Sequence, residues 1–259
     1  LKCKPSIRFS YDETKQGENY LKKIGLHNKK FVTFSARSPN FHQEKTNSVR
    51  NSSINNKLQA ITFLLSKGYK AIRMGKNETN TLDTNDKNII DYAISDDRND
   101  FLDVYLISKC EFMLSTSSGL FEIAVLFRKP RLIVNYVNIR GLEYYPLKLM
   151  ILLKKFKDLN SGKVISFEEA YNKKLHYFDN EFEMNKLGYG VIENSAQEIK
   201  EAAENFLKIL DNDFEINEIL DKQKKFWQIV ERFYGYKNIN KTIICPDFYN
   251  KNIDLFERA

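Results

Sequence analysis

This chain predicts an α/β fold, a doubly wound and mostly parallel sheet with additional helices toward the C-terminus. Short β-branched and aromatic runs alternate with segments whose apolar residues recur at helical spacing. Glycine or proline closes most of those segments. The 259 residues, 42% of them hydrophobic, are enough to bury a large core.

Asp12–Ile24 begins with an acidic turn and is followed by Gly25, the pattern of a helix and its left-handed stop. Lys30–Ala36 (KFVTFSA) reads as the first strand and ends in the polar turn Arg37-Ser38-Pro39-Asn40. After a polar stretch from Phe41 to Ser53, Asn55–Lys67 has helical spacing and stops at Gly68. Tyr69–Met74 is then a second strand, closed by Gly75, which completes a βαβ unit. Thr79–Lys87 is a polar loop, and the apolar run Ile89–Ile94 is either a third strand or a loop packed on the sheet. Asp100–Ser108 is a predicted helix, Glu111–Ser115 a strand, Ser118–Phe127 a helix and Arg131–Asn135 a strand. Beyond Tyr136 the pattern loosens to three helices, Phe167–Tyr171, Ala196–Leu210 and Ile216–Tyr234, with Tyr145–Leu153 as a packed apolar segment. The expected organisation is a linker and helix over 1–30, a sheet domain over 31–210 and a helical extension over 211–259. The chain starts at Leu1 with no signal-like segment, so residues 1–30 are read as the remnant of a truncated N-terminal region.

The net charge is +7 and the pI about 9.0, with Lys and Arg scattered along the chain. No nucleic-acid motif accompanies the charge, and no apolar run approaches the roughly 20 residues of a membrane span. A basic surface suits a pyrophosphate ligand or an anionic membrane face. Cys3, Cys110 and Cys245 lie too far apart for a disulfide framework or a zinc site, and Cys110 falls in an apolar stretch expected to be buried. His27, His42 and His176 share no spacing and are expected at the surface. There is no G-x-S-x-G, no Walker A and no D-x-D triplet, so neither a metal nor a cofactor is predicted.

Chemistry concentrates at Ser115-Thr116-Ser117-Ser118-Gly119, where the fourth predicted strand turns into a helix. Hydroxyls and backbone N–H groups at a helix N-terminus form a cradle for anionic oxygens, which the helix dipole favours. Simple N-capping would use the same residue types. Arg37 and Arg73 stand at or near carboxyl ends of predicted strands, where open α/β sheets bind ligands. A guanidinium there can grip a diphosphate, or it can be a surface or structural ion pair.

Several stretches together resemble a family of bacterial surface-carbohydrate glycosyltransferases of GT-B architecture: Arg50-Asn51-Ser52-Ser53-Ile54, Lys67–Gly75, Ile90–Ala93 with Arg98 and Asp100–Asp103, and Ser115–Gly119. The likeness runs from about Phe31 to Asn135 and more weakly through Ile192–Ser195 and Ile199. A more distant likeness, through Arg37, Asp100–Leu106 and Thr116–Ser118, is to α1,6- and protein O-fucosyltransferases. Their paired basic signature is missing from the turn Ala36-Arg37-Ser38-Pro39, which leaves the donor open.

The resemblance implies the Rossmann-like donor-binding half of a metal-independent, nucleotide-sugar-dependent glycosyltransferase. Arg37 and Arg73 would be the charge stabilisers, Ser115, Thr116, Ser117, Ser118 and Gly119 the donor-phosphate cradle, and Asp91, Tyr92 and Asn135 the residues toward the donor nucleoside and sugar. It implies a nucleoside-diphosphate sugar as donor, a glycan or lipid-linked glycan as acceptor, and a cytoplasmic enzyme that can sit at the inner face of the inner membrane. Two other readings stay open: a non-catalytic nucleotide-sugar or glycan-binding module, and a nucleotide-sugar epimerase.

Overall fold

In the computed structural model the described residues are 5, 7–39, 48–139, 148–212, 215–235 and 242–257. Seven parallel strands form the central sheet: β1 (Phe31–Phe34), β2 (Lys70–Arg73), β3 (Ile89–Ile90), β4 (Met113–Ser115), β5 (Arg131–Tyr136), β6 (Leu149–Leu153) and β10 (Ile243–Ile244). Their spatial order is β3-β2-β1-β4-β5-β6-β10. This is the doubly wound Rossmann-like plan that the strand–helix alternation predicts. The chain builds outward from β1 to β3 on one side, then crosses back to place β4 on the other. The order reverses between β1 and β4, and a crevice opens there at the carboxyl ends of the strands.

Alternate residues of each strand enter opposite layers, as the two-residue period of a strand requires. Phe31, Ile72 and Met113 pack with Tyr20, Leu102 and Leu106 of helices α1 (Tyr11–Lys23) and α3 (Asp100–Lys109). Val32, Phe34, Ala71 and Leu114 pack on the other face with helix α2 (Leu58–Ser66) and with α7 (Ala196–Leu210). In α7, Ile199, Ala202, Ala203, Phe206 and Ile209 form one apolar stripe, and a Ser195–Glu198 capping box fixes its start. Helix α1 belongs to the same body as the sheet. A Cβ on Gly17 would lie 2.3 Å from the Tyr105 ring, so only glycine permits that approach.

Ile89–Ile94, left open between a third strand and a packed loop, supplies the two-residue strand Ile89–Ile90. Other features depart from the sequence reading. The apolar segment Tyr145–Leu153 contributes β6, fully buried over Leu149–Leu153; its first three residues lie outside the described ones. A second sheet, antiparallel in the order β8-β7-β9, is made by β7 (Lys155–Asp158), β8 (Val164–Ile165) and β9 (Tyr189–Ile192). Beside it lie the short helices α5 (Phe167–Asn172) and α6 (Glu181–Lys186).

The expected single helix over Ile216–Tyr234 is two, α8 (Ile216–Lys222) and α9 (Lys224–Tyr234), which meet at Gln223. The Gln223 side chain accepts from Ile244 N–H (2.9 Å) and donates to Ile244 O (2.7 Å), occupying the open edge of β10 as a neighbouring strand would. The C-terminal region therefore supplies a seventh strand as well as helices. After it come α10 (Pro246–Lys251) and α11 (Ile253–Glu257).

Candidate functional site

At the reversal point the turn after β1 meets the turn after β4. Arg37 N–H donates to Thr116 Oγ1 (2.8 Å), and Ser35 N–H donates to Leu114 O (3.1 Å). Thr116 and Ser115 are fully buried. The Thr116 hydroxyl thus ties the two turns together, and Ser117 is half-buried and lines neither of the two cavities described below.

Helix α4 (Gly119–Leu126) starts at Ser118, an N-cap residue with extended backbone whose hydroxyl makes no capping bond. Ser118 Oγ is sheltered from solvent and has no hydrogen-bond partner among the described residues, and the same holds for Ser35 Oγ and Ser115 Oγ. Simple capping therefore does not account for the serines. A Cβ at Gly119 would meet nothing within 4 Å, so the space over the helix N-terminus is open.

That space belongs to a cavity of about 280 Å³ whose walls include Ser35, Arg37, Lys76, Arg98, Ser118 and Gly119, with Val104, Leu120 and Ile123 as its apolar side. The Arg37 side chain is half-buried and forms no hydrogen bond or ion pair with another described residue. Burial first, and then the neighbouring Arg50 guanidinium, pull its pKa below the ordinary value, while Asp179 opposes them. The cavity thus holds a half-buried cation with no bonded counter-ion among the described residues, while the carboxylates on its walls, Glu78, Asp100 and Asp103, are paired with Arg73 and Arg98.

The third wall comes from the turn after β2. Arg98 donates to Gly75 O (3.0 Å) and pairs with Asp100 and Asp103, tying that turn to the start of α3. Arg73, at the end of β2, is only 1% exposed. It contacts Asp91 (3.0 Å), Glu78 (3.2 Å) and the carbonyl of Asn80 (2.6 Å). Glu78 in turn accepts from the Ser38 hydroxyl (2.9 Å). The Ser38–Glu78 contact separates the first cavity from a second of about 520 Å³, and Ala36, Ser38 and Glu78 line both.

The structure thus brings Arg37, Ser118 and Gly119 to one cavity, with Ser115 and Thr116 in the layer below. Arg73 lines the second cavity with its guanidinium already committed. Asp91 is one of its partners. Tyr92 is fully buried, its hydroxyl accepting from Asn99 N–H (3.0 Å) and donating to Asn99 O (3.1 Å). Asn135 is buried at the end of β5 in a left-handed conformation and exchanges two hydrogen bonds with Asn194 (2.6 and 2.7 Å). None of these three lines either cavity.

Sequence reasoning passed over Lys76, Lys154 and Glu181, while Arg50 and Glu193 appear there only as parts of motifs. Of the histidines, His27 is exposed as expected. His176 is buried against Tyr171, a correction to its expected surface position, and His42 lies outside the described residues. Cys110 is buried as expected. Among the described residues no three His, Cys, Asp or Glu side chains are grouped as a metal site, and no helix is long and apolar enough to cross a membrane.

No protein-family model and no curated protein sequence matches this chain. Solved structures are similar to it, among them the following two. One is a glycosyl transferase family 9 protein from Veillonella parvula DSM 2008, with 11% identity over 78% of this chain and 53% of that one and a TM-score of 0.46. The other is the S. aureus MnaA-UDP co-structure, with 18% identity over 75% and 49% and a TM-score of 0.34. The chain spans about half the length of each.

Proposed function

We propose that the crevice between β1 and β4 binds the diphosphate of a sugar nucleotide, and that the chain is the donor-binding part of a metal-independent glycosyltransferase acting on a bacterial surface glycan. The observation that carries the reading is the pairing, where the sheet reverses, of an N-cap serine whose hydroxyl makes no cap with an arginine that has no bonded counter-ion among the described residues.

An oxyanion at the start of α4 would accept from the helix N-terminus and approach the Arg37 guanidinium, in a cavity that shields both from water. Charge builds on the leaving diphosphate as the glycosidic bond breaks, and a fixed guanidinium that needs no reorganisation stabilises it there. In this reading Arg37 contacts phosphate. Arg73 is a positioning residue that holds Glu78 against Ser38. The acceptor is a glycan or lipid-linked glycan, and the work is done at the cytoplasmic face of the inner membrane.

Thermal shift against a panel of nucleoside diphosphates and their sugars, with and without chelator, tests the proposal. At a ligand concentration 100-fold above Kd, about 2.7 kcal/mol of stabilisation is expected for the matching nucleotide, undiminished by chelator. A flat response across the panel would overturn the assignment.

A further inference from the structure

The second cavity is polar and lies directly against the first, across Ser38 and Glu78. Its floor is the motif Arg50–Ile54, which the diphosphate reading leaves without a role. That segment is pinned from several directions. Ser52 N–H donates to Arg37 O (3.1 Å), and Ser53 N–H donates to Glu193 (2.7 Å). Lys154, only 4% exposed, donates to Val49 O (2.9 Å) and Asn51 O (2.7 Å). Fully buried Lys57 donates to Ser52 Oγ (3.4 Å) from behind. A wall this constrained has a fixed shape, as a discriminating ligand site needs.

The charges in the wall are unevenly matched. Arg73 is paired with both Glu78 and Asp91. Lys154 faces Glu193 and Glu181, the two carboxylates that act on its charge. One Glu193 oxygen already serves Ser53 and Asn56. The Glu181 carboxylate, on the first residue of α6, forms no hydrogen bond or ion pair with another described residue and lines the cavity. Asn51 Oδ1, in another lining residue, is sheltered and has no donor among the described residues. The wall therefore offers acceptors in excess of cations, which suits a ligand that presents many hydroxyl donors and no negative charge.

We infer that this cavity takes a neutral, polyhydroxylated glycosyl group, and that Glu181 is the specificity-determining residue that turns away uronic and other acidic sugars. The inference rests on the donor reading for the neighbouring cavity, which places a sugar beyond Ser38. The same chemistry could arrive as the terminal sugar of an acceptor glycan. A neutral hydroxyl donates to the Glu181 carboxylate. A sugar carboxylate at the same place would meet two like charges in a partly buried site with one lysine to share.

Calorimetry on the full chain and on Glu181→Gln separates the possibilities. The ligands are the nucleoside diphosphate that gives the largest thermal shift, the same nucleotide carrying a neutral hexose or the matching hexuronic acid, and free neutral and acidic methyl glycosides. Wild type is expected to prefer the neutral over the acidic form by about tenfold, the scale of one like-charge contact at intermediate dielectric. Glu181→Gln, which keeps the shape and removes the charge, is expected to narrow that preference severalfold while leaving the bare nucleotide unchanged. A preference confined to the nucleotide-linked pair identifies the donor sugar as the occupant; one confined to the free glycosides identifies the acceptor. Equal binding of neutral and acidic ligands by wild type, or a preference untouched by Glu181→Gln in a protein of unchanged melting temperature, would overturn the inference. Failure of every nucleotide to bind would instead sink the donor reading, and the free glycosides would still test the cavity.

Discussion

Two arginines stand at neighbouring strand ends, and their surroundings are opposite. Arg73, at the end of β2, is buried and meets two carboxylates and a carbonyl. Arg37, one turn beyond β1, is half-buried and forms no hydrogen bond or ion pair with a described residue, beside serine hydroxyls that are equally unengaged. A satisfied ion network at the end of a strand stabilises the turn that follows it. An unsatisfied cation beside idle donors costs stability, and folds retain such arrangements where a ligand completes them. The contrast separates a strand end whose arginine is committed from one whose arginine is not more sharply than residue type does.

Substitutions sharpen the contrast in descending order of effect on stability. Arg73→Met should cost about 3–5 kcal/mol in urea denaturation, because Glu78 and Asp91 are left without their cation. Next is the loop that floors the second cavity. Burial pushes the Lys57 ammonium down from 10.5 to about 7, Glu193 opposing, and burial lowers Lys154 as well. Both folded values lie below the unfolded ones, so between about pH 7 and 10.5 the unfolded chain binds more protons and stability rises with pH. Tyr92 and Tyr249, pushed up mainly by burial, act the other way once the medium passes their ordinary value of 10.0. Lys57→Met should flatten the rise between pH 7 and 10, by a few kcal/mol, in melting curves taken across that range. The smallest effects come from the serines. Ser195→Ala removes a working capping box and should cost about 1 kcal/mol, whereas Ser118→Ala should stay within about 0.5 kcal/mol, as its hydroxyl caps nothing. If Ser118→Ala cost as much as Ser195→Ala, Ser118 would be an ordinary cap.

How far the sequence reveals this depends on how local each signal is. The strands around the crevice, Phe31–Phe34, Lys70–Arg73 and Met113–Ser115, are β-branched or apolar runs bounded by breakers, and both turns of the crevice are legible from them. β6 is not, because a continuous apolar run looks alike as a buried strand and as any packed segment. The antiparallel sheet is hidden because Lys155–Asp158 is largely polar, its near partner is the two-residue strand Val164–Ile165, and its longer pairing is with residues more than thirty positions away. Glu181, Glu193 and Lys154 come together through those pairings, so the sequence shows pieces of the second cavity, Asn51–Ile54 and Glu193, as parts of motifs without showing that they face one another. Arg37 and Arg73 look alike there for the same reason: the carboxylates that distinguish them, Glu78 and Asp91, reach Arg73 through a loop whose path the sequence does not encode legibly. Gly75 marks that path in retrospect, since a Cβ there would sit 2.7 Å from the Glu78 side chain.

The most direct measurement is calorimetric titration of wild type and Arg37→Ala with the best nucleoside diphosphate from the thermal-shift panel, alongside urea denaturation of both proteins. The account predicts that Arg37→Ala folds within about 0.5 kcal/mol of wild type and binds the nucleotide at least tenfold more weakly, a loss of roughly 1.5–3 kcal/mol from one charge-assisted contact. Unchanged nucleotide affinity in a fully folded Arg37→Ala would contradict it.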